Sequence, residues 1–221
     1  MSVELYNSNR HVCVAFRDLV TGSAVQANQF LIVDNGSSAL IDPGGELTYS
    51  RLFMALSRYT SVKQLEYIIA SHQDPDIVAS INKWLVGTDC RVVVPALWER
   101  FIPHFVRPGR LQDRQVSIPD SGGRLRIGDF ELMALPAHFL HAEGNFQFYD
   151  PVSKILFSGD MGANMPPARE LDRPARGLDE VLPYMKSFHQ RYMNSNKACR
   201  YWAEMVSQLD ISMLVPQHGR A

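Results

Sequence analysis

The sequence predicts one α/β domain built from sheets with helices packed on their outer faces. Three observations carry this expectation. Short β-branched or aromatic segments alternate with amphipathic helical ones, in a β-rich and then βα pattern. The 221 residues are 46% apolar and 20% charged, with Trp, Phe and Tyr spread throughout, which suits one substantial core. No repeat, low-complexity tract or linker divides the chain, so residues 1–221 are read as a single domain.

The elements follow in order. Residues 11–17 (HVCVAFR), 29–33 (QFLIV) and 38–41 (SALI) read as strands, the last two separated by the turn residues Asn35 and Gly36. Pro43, Gly44 and Gly45 break the chain, and residues 46–59 carry helical periodicity through Leu52, Phe53, Leu56 and Tyr59. Residues 65–70 form an apolar strand, and after a short polar loop residues 77–85 read as an apolar helix. A buried-type strand is expected at 91–94 and a short helix at 97–105, followed by a turn-rich surface loop from 108 to 123. Strands are expected near 125–127, 130–135, 146–149 and 155–157. Two amphipathic helices, 179–193 and 196–209, precede a last short strand at 213–215.

Composition narrows the function. The net charge is −1 with Lys and Arg scattered, so neither nucleic acid nor an anionic membrane is expected as the main partner. No apolar run approaches the ~18 residues of a membrane span, and no basic segment leads into an apolar core near Met1 as in a signal peptide. Cys13, Cys90 and Cys199 are odd in number and far apart, as free thiols in a reducing compartment would be. The expected setting is cytoplasmic.

Metal-type residues gather where predicted strands end. The strand at 65–70 runs into Ser71-His72-Gln73-Asp74-Pro75-Asp76, in which His72, Asp74 and Asp76 alternate. The strand at 130–135 runs towards His138 and His141, that at 155–157 into Asp160, and that at 213–215 into His218. Sites in layered α/β folds collect beyond the carboxyl ends of strands, where loops converge from a rigid sheet. Taken singly, each of these residues is more often a solvated polar group or a hydrogen-bonded histidine; six placed this way point to a shared site. Three imidazoles and three carboxylates are too oxygen-rich for a structural zinc site and suit a pair of harder, redox-capable metals. Iron is the first expectation, and manganese or zinc fit the same donor set.

The chain here resembles the metallo-β-lactamase fold. His72-x-Asp74-x-Asp76, then His141, Asp160 and His218, is similar to that family's ligand series, and Asp42-Pro43-Gly44 resembles its early turn. Hydrolases of the superfamily carry HxHxDH, whereas the di-iron domain of flavodiiron proteins carries HxExDH. A carboxylate at Asp74 places this chain on the di-iron side, and the stretches around 140–149 and 156–160 are similar to the flavodiiron pattern. The resemblance implies an αββα sandwich in which one metal takes His72, Asp74 and His141, a second takes Asp76 and His218, and Asp160 bridges them. The pattern departs at Ile77, where the family has a histidine for the second metal. The resemblance therefore implies a more open second position, and a histidine restored at residue 77 is expected to tighten it. His138 is an available substitute, more in keeping with a packed or supporting histidine, and Glu143 a solvated one.

Flavodiiron reductases draw electrons from a flavodoxin-like domain, and only Gly219, Arg220 and Ala221 follow His218 here. The chain is thus similar to the stand-alone oxygen-binding di-iron proteins that serve as O2 sensors in bacterial signalling, or to a domain excised from a longer protein. The expected function is a di-iron protein that binds O2 and reports it to a signalling partner. An O2 or NO reductase fed by a separate redox protein is the alternative, followed by a di-zinc hydrolase with metal-activated water and by a metal-free interaction module. A homodimer is compatible with the sequence.

Overall fold

The computed structural model describes residues 1–167, 173–193 and 195–221. Among them, seven strands form one sheet in the order β1 (Ser2–Asn7), β2 (His11–Phe16), β3 (Gln29–Asp34), β4 (Ser37–Ile41), β5 (Leu65–Ile69), β6 (Arg91–Pro95) and β7 (Gln115–Ile118). Its first four strands are antiparallel neighbours, and β4 to β7 run parallel. The remaining strands, β8 (Gly123–Ile127), β9 (Phe130–Pro136), β10 (Phe146–Asp150), β11 (Ile155–Phe157) and β12 (Met213–Val215), form a second sheet in reverse order from β12 to β8.

Side-chain alternation along the strands builds the layers. Cys13, Ala15, Phe30, Ile32, Ala39, Ile41, Ile69 and Val93 point from the first sheet into a shared core with Phe130, Leu132, Phe146, Phe148, Phe157 and Val215 of the second. Their sequence neighbours Val14, Phe16, Leu31, Leu40, Ile68, Val92 and Val94 point the other way, onto helices α1 (Tyr49–Leu56) and α3 (Ile81–Gly87) through Leu52, Leu56, Ile81, Trp84 and Leu85. The central strands are therefore apolar on both faces, which is why they read as near-continuous hydrophobic runs. On the far side, Leu135, Tyr149 and Leu156 of the second sheet meet Trp202, Met205 and Val206 of α5 (Asn196–Val206). The Ser195 side chain caps that helix by accepting from the Ala198 N–H at 3.2 Å. The result is the expected four-layer order of helix, sheet, sheet, helix.

Several expectations are corrected. Residues 2–7 form β1, an edge strand whose half-exposed side chains and bulge at Glu4 to Tyr6 hide its periodicity. The turn-rich stretch 108–123 contains β7, which is polar and paired on one side only. The helix expected at 46–59 is confined to α1. The helix expected at 77–85 is two: α2 (Pro75–Val78) and α3, split where the Ser80 hydroxyl bonds the Pro43 and Gly44 carbonyls at 3.0 and 2.6 Å. Residues 97–105 hold two single turns, Ala96–Trp98 and Ile102–His104, the second containing Pro103. The helices expected at 179–193 and 196–209 are α4 (Leu178–Tyr192) and α5.

Strand direction places the loops. Strand β10 is antiparallel to both β9 and β11, and β12 is parallel to β11, so β9, β11 and β12 all end on the same side. The loop after β5 reaches that side too, since the Phe146 N–H at the start of β10 donates to the Ser71 carbonyl at 3.0 Å. His72, His141, Asp160 and His218 follow these four strands.

Candidate metal centre

The loop after β5 is anchored from outside its own sequence. Asp42 sits in the left-handed region at φ 54°, where its Oδ1 accepts the Ser71 N–H at 2.9 Å. Burial pushes the Asp42 carboxyl up to about 6, against the opposing pull of His72 and the Ser71 hydrogen bonds. The Ser71 Oγ lies 3.0 Å from His72 Nδ1 and leaves Nε2 aimed inward. Asp74 occupies the N-cap position of α2 without capping it, and its carboxylate turns instead to His141. Asp76 lies in the first turn of α2. The loop after β12 is fixed by Gly219, at φ 88°, where a Cβ would come within 2.0 Å of the Asn164 carbonyl oxygen. His218 Nδ1 donates to the Gln26 carbonyl at 2.7 Å, so its Nε2 also faces inward.

All six side chains converge, and Asp160 stands at the junction. Its Oδ2 lies 3.7 Å from His72 Nε2 and 3.2 Å from His141 Nε2. Asp74 Oδ2 completes that group at 3.7 Å from His72 and 3.1 Å from His141. The other oxygen, Asp160 Oδ1, lies 3.4 Å from His218 Nε2, which is 3.6 Å from Asp76 Oδ2. One carboxylate thus divides its oxygens between two donor groups. His72 and Asp160 form the buried floor, whereas the Asp74 and Asp76 side chains are 34% and 30% exposed and mark the open side.

The donor set fits cations. His72 Nε2 and Asp160 Oδ1 are buried without a hydrogen-bond partner, a costly arrangement unless something else satisfies them. The imidazole of His141, hydrogen-bonded at 3.1 Å, and then the nearby imidazole of His72 hold Asp74 well below the usual carboxylate range. Burial raises Asp76, with Asp74 and Asp160 adding repulsion against the pull of His218. Burial opposes charge on His72, but Asp74 and the charges of Asp160 and Asp42 outweigh it and raise the imidazole. A bound cation would take the place of that proton.

His138 does not join the six. Its Nε2 lies 2.9 Å from the Asp120 carbonyl, and its ring packs edge-on against Phe146. Glu143 is exposed. Ile77 is fully buried in the core beneath the helices of the first sheet, with Leu52, Ile81 and Trp84. The residues that orient the cluster were largely invisible in sequence. Asp42 had only the Asp-Pro-Gly turn as a signal, and the Gln26 carbonyl had none.

A second buried group, His11, Cys13 and Asp150, also brings metal-type atoms together. Its spacing is that of hydrogen bonds: His11 Nδ1 to Asp34 at 2.9 Å, Nε2 to Asp150 at 2.7 Å, and the Cys13 thiol to Asp150 at 3.2 Å. Burial opposes a charged His11, yet the two carboxylates prevail and raise it. This is an imidazolium held between two carboxylates at the ends of β3 and β10, away from the six-residue cluster.

Comparison with known proteins agrees with this geometry. A family profile described as ODP family beta lactamase matches residues 25–219. The apo state of chemotaxis sensor ODP from T. denticola is similar with a TM-score of 0.87 at 37% identity, over 100% of this chain and 87% of that one. A peroxy diiron species of chemotaxis sensor ODP gives 0.86 at 38% identity, over 99% and 87%. A flavo di-iron protein mutant from Thermotoga maritima gives 0.81 at 22% identity, over 100% and 57%, which is a likeness of fold. An uncharacterized protein of Methanocaldococcus jannaschii is 25% identical over 194 residues, 87% of this chain and 48% of its own. The chain spans about half the length of that curated relative.

Proposed function

We propose, from the premise that the chain belongs to the ODP family of beta lactamases, that it is a di-iron protein that binds O2 and acts as an oxygen sensor. Its fold is the metallo-β-lactamase αββα sandwich, in the di-iron, flavodiiron-like branch. The likeness at 37–38% identity is to a chemotaxis sensor, and that at 22% to a flavo di-iron protein speaks for the fold alone. Among the described residues no helix is long and apolar enough to cross a membrane. A cytoplasmic setting, a single domain over residues 1–221 and a signalling partner complete the proposal.

The observation that carries it is the divided Asp160 carboxylate. In this reading His72, His141 and Asp74 would hold one iron and His218 and Asp76 the other, with Asp160 shared between the two groups. Two histidines and one carboxylate on one face, with positions left open, is a donor set suited to ferrous iron and small ligands. Iron bound there would supply reducing capacity towards O2. The chain's own residues do the rest. Ser71 and the Gln26 carbonyl orient His72 and His218, the buried floor keeps bulk water from Asp160, and the exposed edges of Asp74 and Asp76 leave an entrance.

The test is to load apo protein with Fe(II) without air and then admit O2. A sensor gives a stoichiometric visible absorption change that persists without further O2 consumption. Sustained O2 or NO consumption with an added reductant would identify a reductase instead. Hydrolysis of thioesters, lactams or phosphodiesters by the zinc form, with no optical response of the iron form, would identify a hydrolase.

A further inference from the structure

Helix α4 has no fully buried residue along its 15 positions. Its own sequence supports it poorly, because Pro183 removes a hydrogen bond from its interior and Gly177 at its start offers no capping side chain. Besides the packing of Phe188 with Leu140, Ala198 and Trp202, it is held by contacts to the three loops that carry His141, Asp160 and His218. The Phe188 and Tyr192 rings pack on the His141 imidazole at centroid distances of 6.0 and 5.3 Å. His189 Nε2 accepts the Gly162 N–H at 3.0 Å, two residues past Asp160, while Nδ1 donates to the Met185 carbonyl at 2.8 Å. Those two bonds define one neutral tautomer. Glu180 pairs at 2.8 Å with Arg173 and at 3.2 Å with the fully buried side chain of Arg220, two residues past His218. A helix with little stability of its own is thus pinned at three points, each on or within two residues of a side chain of the cluster.

We infer that α4 is a latch whose docking depends on occupancy of the metal site, with His189 as the positioning residue that ties it to the Asp160 loop. The inference rests on the di-metal reading above. Without cations, the loops meet across the cluster through imidazole–carboxylate contacts such as His141 to Asp74 and Asp160, at 3.1 and 3.2 Å, which leave His72 Nε2 and Asp160 Oδ1 without a hydrogen-bond partner. Cations draw the same donor atoms to common centres and fix the loops to which α4 is pinned. Occupancy is then reported at the surface by the helix that presents Leu178 and Leu182, both exposed. Such coupling needs only a local element of low stability and a ligand that favours its docked form.

Amide hydrogen exchange of the full chain, read by mass spectrometry, tests this, with apo, Fe(II)-loaded anaerobic and Zn(II)-loaded samples whose metal content is measured in parallel. Amides of residues 178–192 are expected to exchange at least ~5-fold more slowly in the loaded forms, as for a segment that opens locally when released. His189→Leu removes most of that difference, and His189→Gln, whose amide can accept the same N–H, retains it. Glu180→Gln, which weakens a second pin at the surface, reduces it and serves if the leucine variant does not fold. Metal bound with unchanged exchange in α4 would overturn the latch and leave the metal site standing. His189→Leu responding like the unaltered protein would overturn the role of His189. Failure to bind either metal would overturn the site and the latch together.

Discussion

Replacing Ile77 by histidine separates two readings of the position where the family's ligand pattern breaks. Ile77 is fully buried among Leu52, Ile81 and Trp84. Removing that side chain from the core forfeits about 1.5–3 kcal/mol of burial, and an imidazole left there without a partner costs about 1–3 kcal/mol more. The sum, about 2.5–6 kcal/mol, is a large share of the roughly 5–15 kcal/mol that stabilises an ordinary domain. At about 2–4 °C per kcal/mol for a chain of this size, the melting temperature of the apo protein should fall by on the order of 10 °C. Thermal melts of apo and iron-loaded protein, with an anaerobic Fe(II) titration, measure both sides. The expected result is a markedly less stable apo protein whose second iron binds no more tightly than before. An apo variant that melts like the unaltered protein and holds its second iron more tightly would refute the reasoning. Residue 77 would then look into the cage.

Two further variants probe the support around the site and the network opposite it. Asp42→Ala frees the Ser71 N–H and loosens the mount of His72, so iron affinity should fall about 10–100-fold with a stability loss of about 1–3 kcal/mol. Affinity unchanged in an Fe(II) titration would show that Asp42 serves the fold alone. His11→Leu removes the imidazolium between Asp34 and Asp150. Because the folded state raises His11, its contribution is fully present below the unfolded value of about 6.5 and is lost as pH rises through the raised value. Asp150 is lowered in the folded state, against its burial, by His11 and Ser153, so its share is present above about 3.9 and is lost as pH falls. Urea unfolding of apo protein should therefore show the largest gap between the unaltered protein and His11→Leu between about pH 4 and 6.5, narrowing at higher pH. A gap that widens at alkaline pH would contradict the assignment of charge.

Much of this fold was legible because the central strands are buried on both faces and so carry unbroken β-branched and aromatic runs, as in Phe30–Leu31–Ile32 or Val92–Val93–Val94. Edge strands lack that pressure. β1 and β7 pair on one side, keep polar residues, and left no clear period. The break between α2 and α3 could not be read locally, since it is made by Ser80 reaching carbonyls of Pro43 and Gly44 more than 30 residues away. The six-residue cluster was legible because each member directly follows an apolar strand or lies in the loop after one, and strand direction brings those loops to one end. Its mounting was not. A backbone carbonyl at Gln26, a ring at His189 and a carboxylate at Asp42 act through contacts between distant segments, and no spacing rule in a single sequence marks them.

The central claim, two irons held across Asp160, is tested most directly by iron content after anaerobic Fe(II) loading, for the unaltered protein and Asp160→Asn side by side. Close to two irons per chain are expected in the former. Both should be weakened together in the latter, because one carboxylate serves both donor groups. Uptake of zinc alone with no iron bound, or loss of a single iron in Asp160→Asn while the other stays fully bound, would contradict it.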